Sequence, residues 1–281
     1  MGDNDIPERI KRLLITYDDL VSELKEFSGL NLDFYPSLPK DIPVVRIGNS
    51  NKVIMFVARI HGDEPTGTEA CRWFIRSKEP NDFAYVLFPL VNTYGCEYNK
   101  RENIHNIDIT RDFMVSKEFE TLALKNAIEK FKPRFILDLH NTNFLTPLSK
   151  NPRGYLQPAN DNESIRAALQ IKSYLDKHGL SNLIRKDMLP ECFLNPKGGK
   201  HTNYKKIDDG VFVRYKGETG FKEYTMKLGI PHICVESPAK TKNFFFREKE
   251  EIERYEKNFK SYVNFHYLSM LGVIEYLKAR R

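Results

Sequence analysis

The sequence predicts an α/β protein, a three-layer α/β/α sandwich around a mixed, mostly parallel central sheet. Segments of helical periodicity alternate along the chain with short apolar, partly β-branched segments, and several of the latter are apolar along their whole length. A strand apolar on both faces belongs in a sheet covered by helices on both sides. The ends of these runs carry a further signal: VIMFVARI stops at His61, FILDL at His140 and HICV at Glu236. In such sheets functional groups gather beyond the carboxyl ends of strands, so these three can converge on one edge.

The elements follow in order. DIPERIKRLLITYDDLVSELKEF, about residues 6–28, repeats apolar residues at helical spacing and reads as one or two helices. A Pro-rich connector, FYPSLPKDIP, leads to two strands, VVRIG and KVIMFVARI, separated by a turn at GNSN. PTGTEACRWFIRS fits a helix with Pro65 in its first turn. FAYVLFPLVN is a strand, ALKNAIEKF a helix and FILDLHN a strand. ESIRAALQIKSYLDKHG is a helix closed by His178 and Gly179. GVFVRY and HICVES are strands, and about 248–279 forms a long terminal helix.

With 281 residues, 41% apolar and 29% charged, and Gly and Pro dispersed, one domain spanning 1–281 is expected. The net charge of +6 comes with no Lys/Arg block and no aromatic-basic ladder, so no nucleic-acid partner is expected, whereas a modest positive field suits an anionic small substrate. Cys71, Cys96, Cys192 and Cys234 lack CxxC spacing, which argues against a zinc knuckle or a disulfide framework. No apolar run is long enough to span a membrane and the first residues contain no apolar leader core, so no membrane partner and a cytoplasmic location are the expectations. The oligomeric state is left open.

His61 and Glu64, three apart across a strand-to-helix turn, can face one point, and His140 can join them from another strand end. Two imidazoles and a carboxylate are the donors of a catalytic zinc, which has three protein ligands and one open position. Asp63 is expected to point elsewhere or to orient His61. The glycines of HGDEPTG are expected to leave room for metal and substrate. Of the other histidines, His105 reads as a loop residue near the pocket, His178 as a helix C-terminal cation, His201 as exposed loop, His232 as packed in or near a strand, and His266 as part of the terminal helix.

These motifs, taken in order over roughly residues 40 to 240, resemble the zinc carboxypeptidase family, the carboxypeptidase A-like metallopeptidases. HGDEPTG resembles its HGxE zinc motif, FPLVNTYGCEYNKREN its strand-and-loop segment ending in Arg and Asn, NIDITRDF its D-x-N-R-x-F segment, LDLHNTN the segment of the third ligand, and YKGETGFKEYTMKLGIPHICVES its closing segment. The resemblance implies one Zn2+ held by His61, Glu64 and His140, with Glu236 as general base and Arg101 as oxyanion stabiliser. It implies Arg111 as the partner of the substrate's terminal carboxylate, with Tyr215 in the region of a mobile tyrosine and Asn92 holding the loop of Arg101. Thr110 stands where the family has Asn, a change that alters carboxylate recognition. The implied reaction is hydrolysis of an amide next to a free carboxylate.

DLHNT also resembles the related aspartoacylase and succinylglutamate desuccinylase group, which removes acyl groups from amino acids, and an N-acyl amino acid deacylase is the runner-up. A non-catalytic binding module on the same fold is a third reading, which the intact triad and Glu236 disfavour. The substrate is therefore a peptide or an acylated amino acid. The Lys- and Gly-rich segment PECFLNPKGGKHTNYKKIDDG, with Lys197 and Lys200, reads as a pocket rim suited to an acidic one, such as a muropeptide.

Overall fold

The computed structural model of the chain describes residues 8–27, 30–77, 82–142, 154–180, 204–214, 220–238 and 249–280. Among these residues nine strands form one sheet in the order β1-β2-β4-β3-β5-β9-β6-β8-β7. The strands are β1 Asn31–Tyr35, β2 Ile42–Ile47, β3 Val53–Ala58, β4 Ala84–Phe88, β5 Phe135–Asn141, β6 Tyr155–Pro158, β7 Tyr204–Asp208, β8 Val211–Arg214 and β9 His232–Ser237. The central run β4-β3-β5-β9 is parallel throughout. The β1–β2, β2–β4, β9–β6 and β8–β7 pairings are antiparallel and β6–β8 is parallel, so the sheet is mixed, with its longest parallel run at the centre.

The helices are α1 Glu8–Lys11, α2 Tyr17–Glu26, α3 Thr66–Arg76, α4 Thr93–Tyr98, α5 Ile109–Asp112, α6 Phe119–Phe131, α7 Asn162–Lys177, α8 Phe221–Lys227 and α9 Lys249–Lys278. Successive strand residues point to opposite faces, and β3 shows the consequence. Ile54, Phe56 and Ala58 pack with Ala70, Phe74, Ile171 and Val263 of α3, α7 and α9. Val53, Met55 and Val57 pack with Ala123, Leu124, Ala127 and Ile128 of α6 and with Phe221 of α8. Two apolar cores on the two faces of one sheet make the three layers that fully apolar strands require.

β2 and β3 flank GNSN as the sequence reads, and β4 lies between them in the sheet. Other elements depart from the sequence reading. NLDFY, ahead of and partly inside the Pro-rich connector, is an edge strand with no buried residue and therefore no alternation to reveal it. β7, inside the proposed pocket rim, is a short polar strand. Lys197, Lys200, His201, Cys192 and Tyr215 lie outside the described residues.

Thr66, at the start of α3, and Asn141 and Ser237, at the ends of β5 and β9, meet His266 of α9 in the layer beneath those strand ends. Asn141 Nδ2 donates to Thr66 Oγ1 and Ser237 Oγ, each at 2.5 Å, and His266 Nδ1 lies 3.2 Å from Thr66 Oγ1. On the opposite face His232 is fully buried, with Nδ1 2.9 Å from Thr225 Oγ1 of α8. Burial lowers its pKa from 6.5 to about 3, Lys222 and His140 push the same way, and Asp138 opposes them. The folded state thus prefers the neutral ring. Its stabilising effect is complete above about pH 6.5 and is lost as pH falls toward 3. Over that window one proton taken up on unfolding contributes a slope of about 1.4 kcal/mol per pH unit. Denaturant unfolding at stepped pH is expected to give a shallower acid slope for His232→Gln than for the parent.

Candidate metal centre and active site

β3 ends at Ala58, and the chain turns at once through Arg59, whose φ of 54° is unusual for a residue with a side chain. Arg59 is itself buried, and its Nε donates to the Gly62 carbonyl at 2.9 Å, closing the turn that carries His61 and Glu64. His140 comes from β5. Because side chains alternate, His140 shares its face with Asp138, and its register partner on β9 is Glu236. The ligand atoms of His61, Glu64 and His140 all lie within 4.8 Å of one another, and all three residues are buried. His61 Nδ1 and His140 Nδ1 are 3.1 Å apart, and each is 2.9 Å from an oxygen of Glu64.

The outer nitrogens fix these rings. His140 Nε2 is 2.7 Å from Asp138 Oδ2, and His61 Nε2 is 3.2 Å from Asp108 Oδ1. An ionised carboxylate only accepts, so both Nε2 atoms carry protons and both Nδ1 atoms turn inward. Two imidazole nitrogens and a carboxylate, each imidazole held from behind by a carboxylate, fit a divalent zinc-type cation. Asp108 opens the DITR segment and Asp138 lies two residues before His140, and the sequence reading assigns neither an orienting role. The period-2 rule for strands was the available signal for Asp138. Asp63 is buried, but Asp108 is the carboxylate on the outer nitrogen of His61.

Charge in the site is tightly compensated. Burial alone would raise the Asp108 carboxyl, but the hydrogen bond and charge of His61, with Arg101, hold it far below the ordinary range. Burial alone would lower His140, but Asp138 and Glu64 raise it well above an ordinary imidazole. Asp138, His140 and Cys234 form a second group of possible ligands. Burial pushes the Cys234 thiol up to about 11, and its Sγ donates to Asp138 Oδ2 at 3.9 Å. Glu236 is partly exposed; burial raises its carboxyl, Glu64 pushes it further up, and His140, His61 and Lys222 oppose.

The remaining residues fall into place unequally. Arg101 lies beside the triad: Nη1 is 3.0 Å from His61 Nδ1 and 3.4 Å from Glu64 Oε1, and Nη2 is 2.9 Å from Asp108 Oδ2. Asn92 caps α4 through Gly95 and donates from Nδ2 to the Arg101 carbonyl at 3.1 Å, so it holds the loop rather than facing the site. Thr110 Oγ1 donates to Asp108 Oδ1 at 2.6 Å, which commits its one hydroxyl proton. Arg111 is 72% exposed and reaches Asp108 Oδ2 through Nε at 3.3 Å. His105 bonds Glu118 at 2.7 Å and is no part of the triad. The expectation for the glycines is corrected. A Cβ on Gly62 would stand 1.9 Å from the Gly95 backbone, and one on Gly67 would stand 2.8 Å from Leu139 Cβ. They leave room for the chain's own packing, not for a metal.

The mixed sheet and its two helical layers make the carboxypeptidase-like α/β fold. No protein-family model and no curated protein matches the chain by sequence. Solved structures do match it in fold. A Shewanella denitrificans protein, provisionally assigned as a metallopeptidase, shares 19% identity at a TM-score of 0.65, covering 98% of this chain and 91% of that one. A metallo-carboxypeptidase of Burkholderia cenocepacia shares 11% at 0.61, over 94% of this chain and 70% of that one. Bovine thrombin-activatable fibrinolysis inhibitor, in complex with tick carboxypeptidase inhibitor, shares 13% at 0.65 over 100% of both. No helix among the described residues is long and apolar enough to cross a membrane.

Two outcomes follow from the packing. Asp138→Asn should weaken zinc binding about 10–100-fold in a chelator-competition titration, with the fold retained. Gly62→Ala forces a methyl group against the Gly95 backbone and should destabilise the protein by about 1–3 kcal/mol or more, read as a lower denaturant midpoint.

Proposed function

We propose that the chain is a zinc-dependent metallocarboxypeptidase acting on an amide bond next to a free carboxylate. The observation that carries this reading is the convergence of His61, Glu64 and His140 beside Glu236, which pairs with His140 across the sheet. His61, Glu64 and His140 would hold the zinc. Zinc supplies Lewis-acid polarisation and brings the pKa of water toward neutrality. Glu236, with its carboxyl raised by burial, takes a proton from the attacking water and passes it to the leaving nitrogen. Arg101 sits where a guanidinium can stabilise developing oxyanion charge. Arg111 pairs with the terminal carboxylate, turning from Asp108 to do so; Thr110, engaged with Asp108, plays little part. Asn92 supports Arg101 indirectly. Tyr215 keeps the role its sequence position implies. The same metal site would serve an N-acyl amino acid deacylase, so the substrate panel decides between the two.

The zinc-loaded protein is expected to release C-terminal residues from free-acid peptides and not from their amides, read by mass spectrometry. Glu236→Gln should lower kcat by at least about 100-fold while zinc binding persists. Cleavage of N-acyl amino acids alone would transfer the chain to the deacylases, and zinc binding with no turnover of any substrate would sink the hydrolase reading.

A further inference from the structure

The segment that ends in Arg and Asn supplies Arg101 to the reaction above, but its asparagine, Asn103, has no part in it. Asn103 is fully buried in the loop between α4 and α5, the loop that carries both Arg101 and Asp108. Its side chain is saturated. Nδ2 donates to Glu118 Oε2 at 2.6 Å and to Glu120 Oε2 at 3.2 Å. Oδ1 accepts from the backbone N–H of His105 at 3.1 Å and of Ile107 at 3.0 Å. Two donors and two acceptors are the whole capacity of a carboxamide. The backbone closes the same turn: Asn103 N–H donates to the Ile107 carbonyl at 3.1 Å, and Asn106 N–H to the Asn103 carbonyl at 2.9 Å.

This turn folds the loop back on itself and returns Asp108 to Arg101. Asp108 Oδ2 accepts from Arg101 Nε at 3.2 Å and Nη2 at 2.9 Å, while Oδ1 lies 3.2 Å from His61 Nε2. Arg101 Nη1 reaches His61 and Glu64. The two residues therefore meet the triad as one ion-paired unit. Asn103 ties that unit to an element outside the loop. Glu118 is the N-cap residue of α6 and Glu120 lies in its first turn. α6 is seated on the sheet through Ala123, Leu124, Ala127 and Ile128, and the Glu118 N–H donates to Asp112 Oδ2 of α5 at 2.9 Å. Both carboxylates are buried. Burial raises the Glu120 carboxyl, and bonds from its own backbone and from Asn103 lower it. One amide thus answers two buried carboxylates and two backbone N–H groups, each of which is costly to leave unpaired.

We propose that Asn103 is a positioning residue of this site: it clamps the 101–108 loop to the first turn of α6 and so sets Arg101 and Asp108 together against His61 and Glu64. Its effect on rate rests on the hydrolase reading above; its effect on the placement of Arg101 does not. With Asn92 holding the Arg101 carbonyl, the guanidinium is carried between two amide clamps, one at the start of α4 and one at the start of α6. The role needs a carboxamide. An aspartate would keep both acceptors but set a third carboxylate against Glu118 and Glu120. A leucine would fill similar space and leave four partners without their bond.

The test is NMR on the zinc-loaded full chain with isotope-labelled arginine, beside kinetics on free-acid peptides. The Nε–H signal of Arg101 is assigned by its loss in Arg101→Lys. The Nε–H of Arg72, which donates to Glu23 at 3.0 Å far from the loop in sequence, serves as control. In Asn103→Leu the Arg101 proton is expected to exchange with solvent at least about tenfold faster, with Arg72 unchanged. The value of kcat should fall about 100-fold while KM stays within about threefold. Asn103→Asp should show the same losses. Adding Glu118→Gln, whose amide can donate in return, should recover about tenfold of the lost rate, and this pair keeps the test alive if Asn103→Leu fails to fold. A role in stability alone would lower the denaturant midpoint and move neither the ratio of the two exchange rates nor kcat per folded molecule, and that result overturns the proposal. Faster exchange at Arg101 with the parent kcat overturns it as well. Faster exchange at Arg101 in a protein whose parent turns over no substrate would instead overturn the hydrolase reading and leave the clamp standing.

Discussion

Burying the Glu64 carboxylate is the constraint from which the site is built. At 2% exposure an ionised carboxylate costs several kcal/mol unless it is fully partnered. Glu64 meets that demand with His61, His140, Arg101 and the backbone N–H of Asn141, the last at 2.9 Å. Each partner is then fixed by another group. Asp108 and Asp138 hold the two rings, Asn92 holds the Arg101 loop, and Asn141 is anchored to Thr66 and Ser237 through its side chain. Residues that never face the metal site therefore determine its geometry, which is how protein sites reach sub-ångström placement.

The two faces of the sheet divide this labour. Odd and even residues of the same strand ends serve different layers: His140 and Glu236 face the triad, while Asn141 and Ser237 face the terminal helix and His266. The alternation of a strand thus lets one short segment supply both a triad residue and an anchor. The parallel centre makes this possible, since only parallel strands bring β3, β5 and β9 to the same edge by their carboxyl ends.

Much of this was legible in the sequence, for identifiable reasons. Runs such as VIMFVA and FILDL are apolar at nearly every position, and that alone placed them at the buried centre. HGDE and LDLHN put scarce residue types at strand ends, so His61, Glu64 and His140 could be grouped before any distance was known. The edge strand β1 was not legible, because it buries too little to carry a period. Nor were Asp108 as orienting group, Gly62 as packing residue and Asn103 as the clamp of its loop. Each depends on which segment lies across from it: the His61 partner is 47 residues away, and the Gly62 neighbour belongs to α4. Spacing along the chain does not encode that. Thr110 shows the same limit, since its identity was plain but the hydrogen bond its hydroxyl donates to Asp108 was not.

The topology also bears on how such a chain comes to exist. The β5–β9 edge joins residues as far as 96 positions apart, and the His61–His140 contact spans 79. Closing loops of that length is slow compared with forming the helices. The three metal donors come together only after β3 and β5 have paired, and Glu236 arrives only with β9. A metal ion met early in synthesis finds no site, unlike the ion of a zinc finger, which nucleates its own small fold. Any ion held by this triad would therefore be bound after the sheet has assembled, because its donors meet only there.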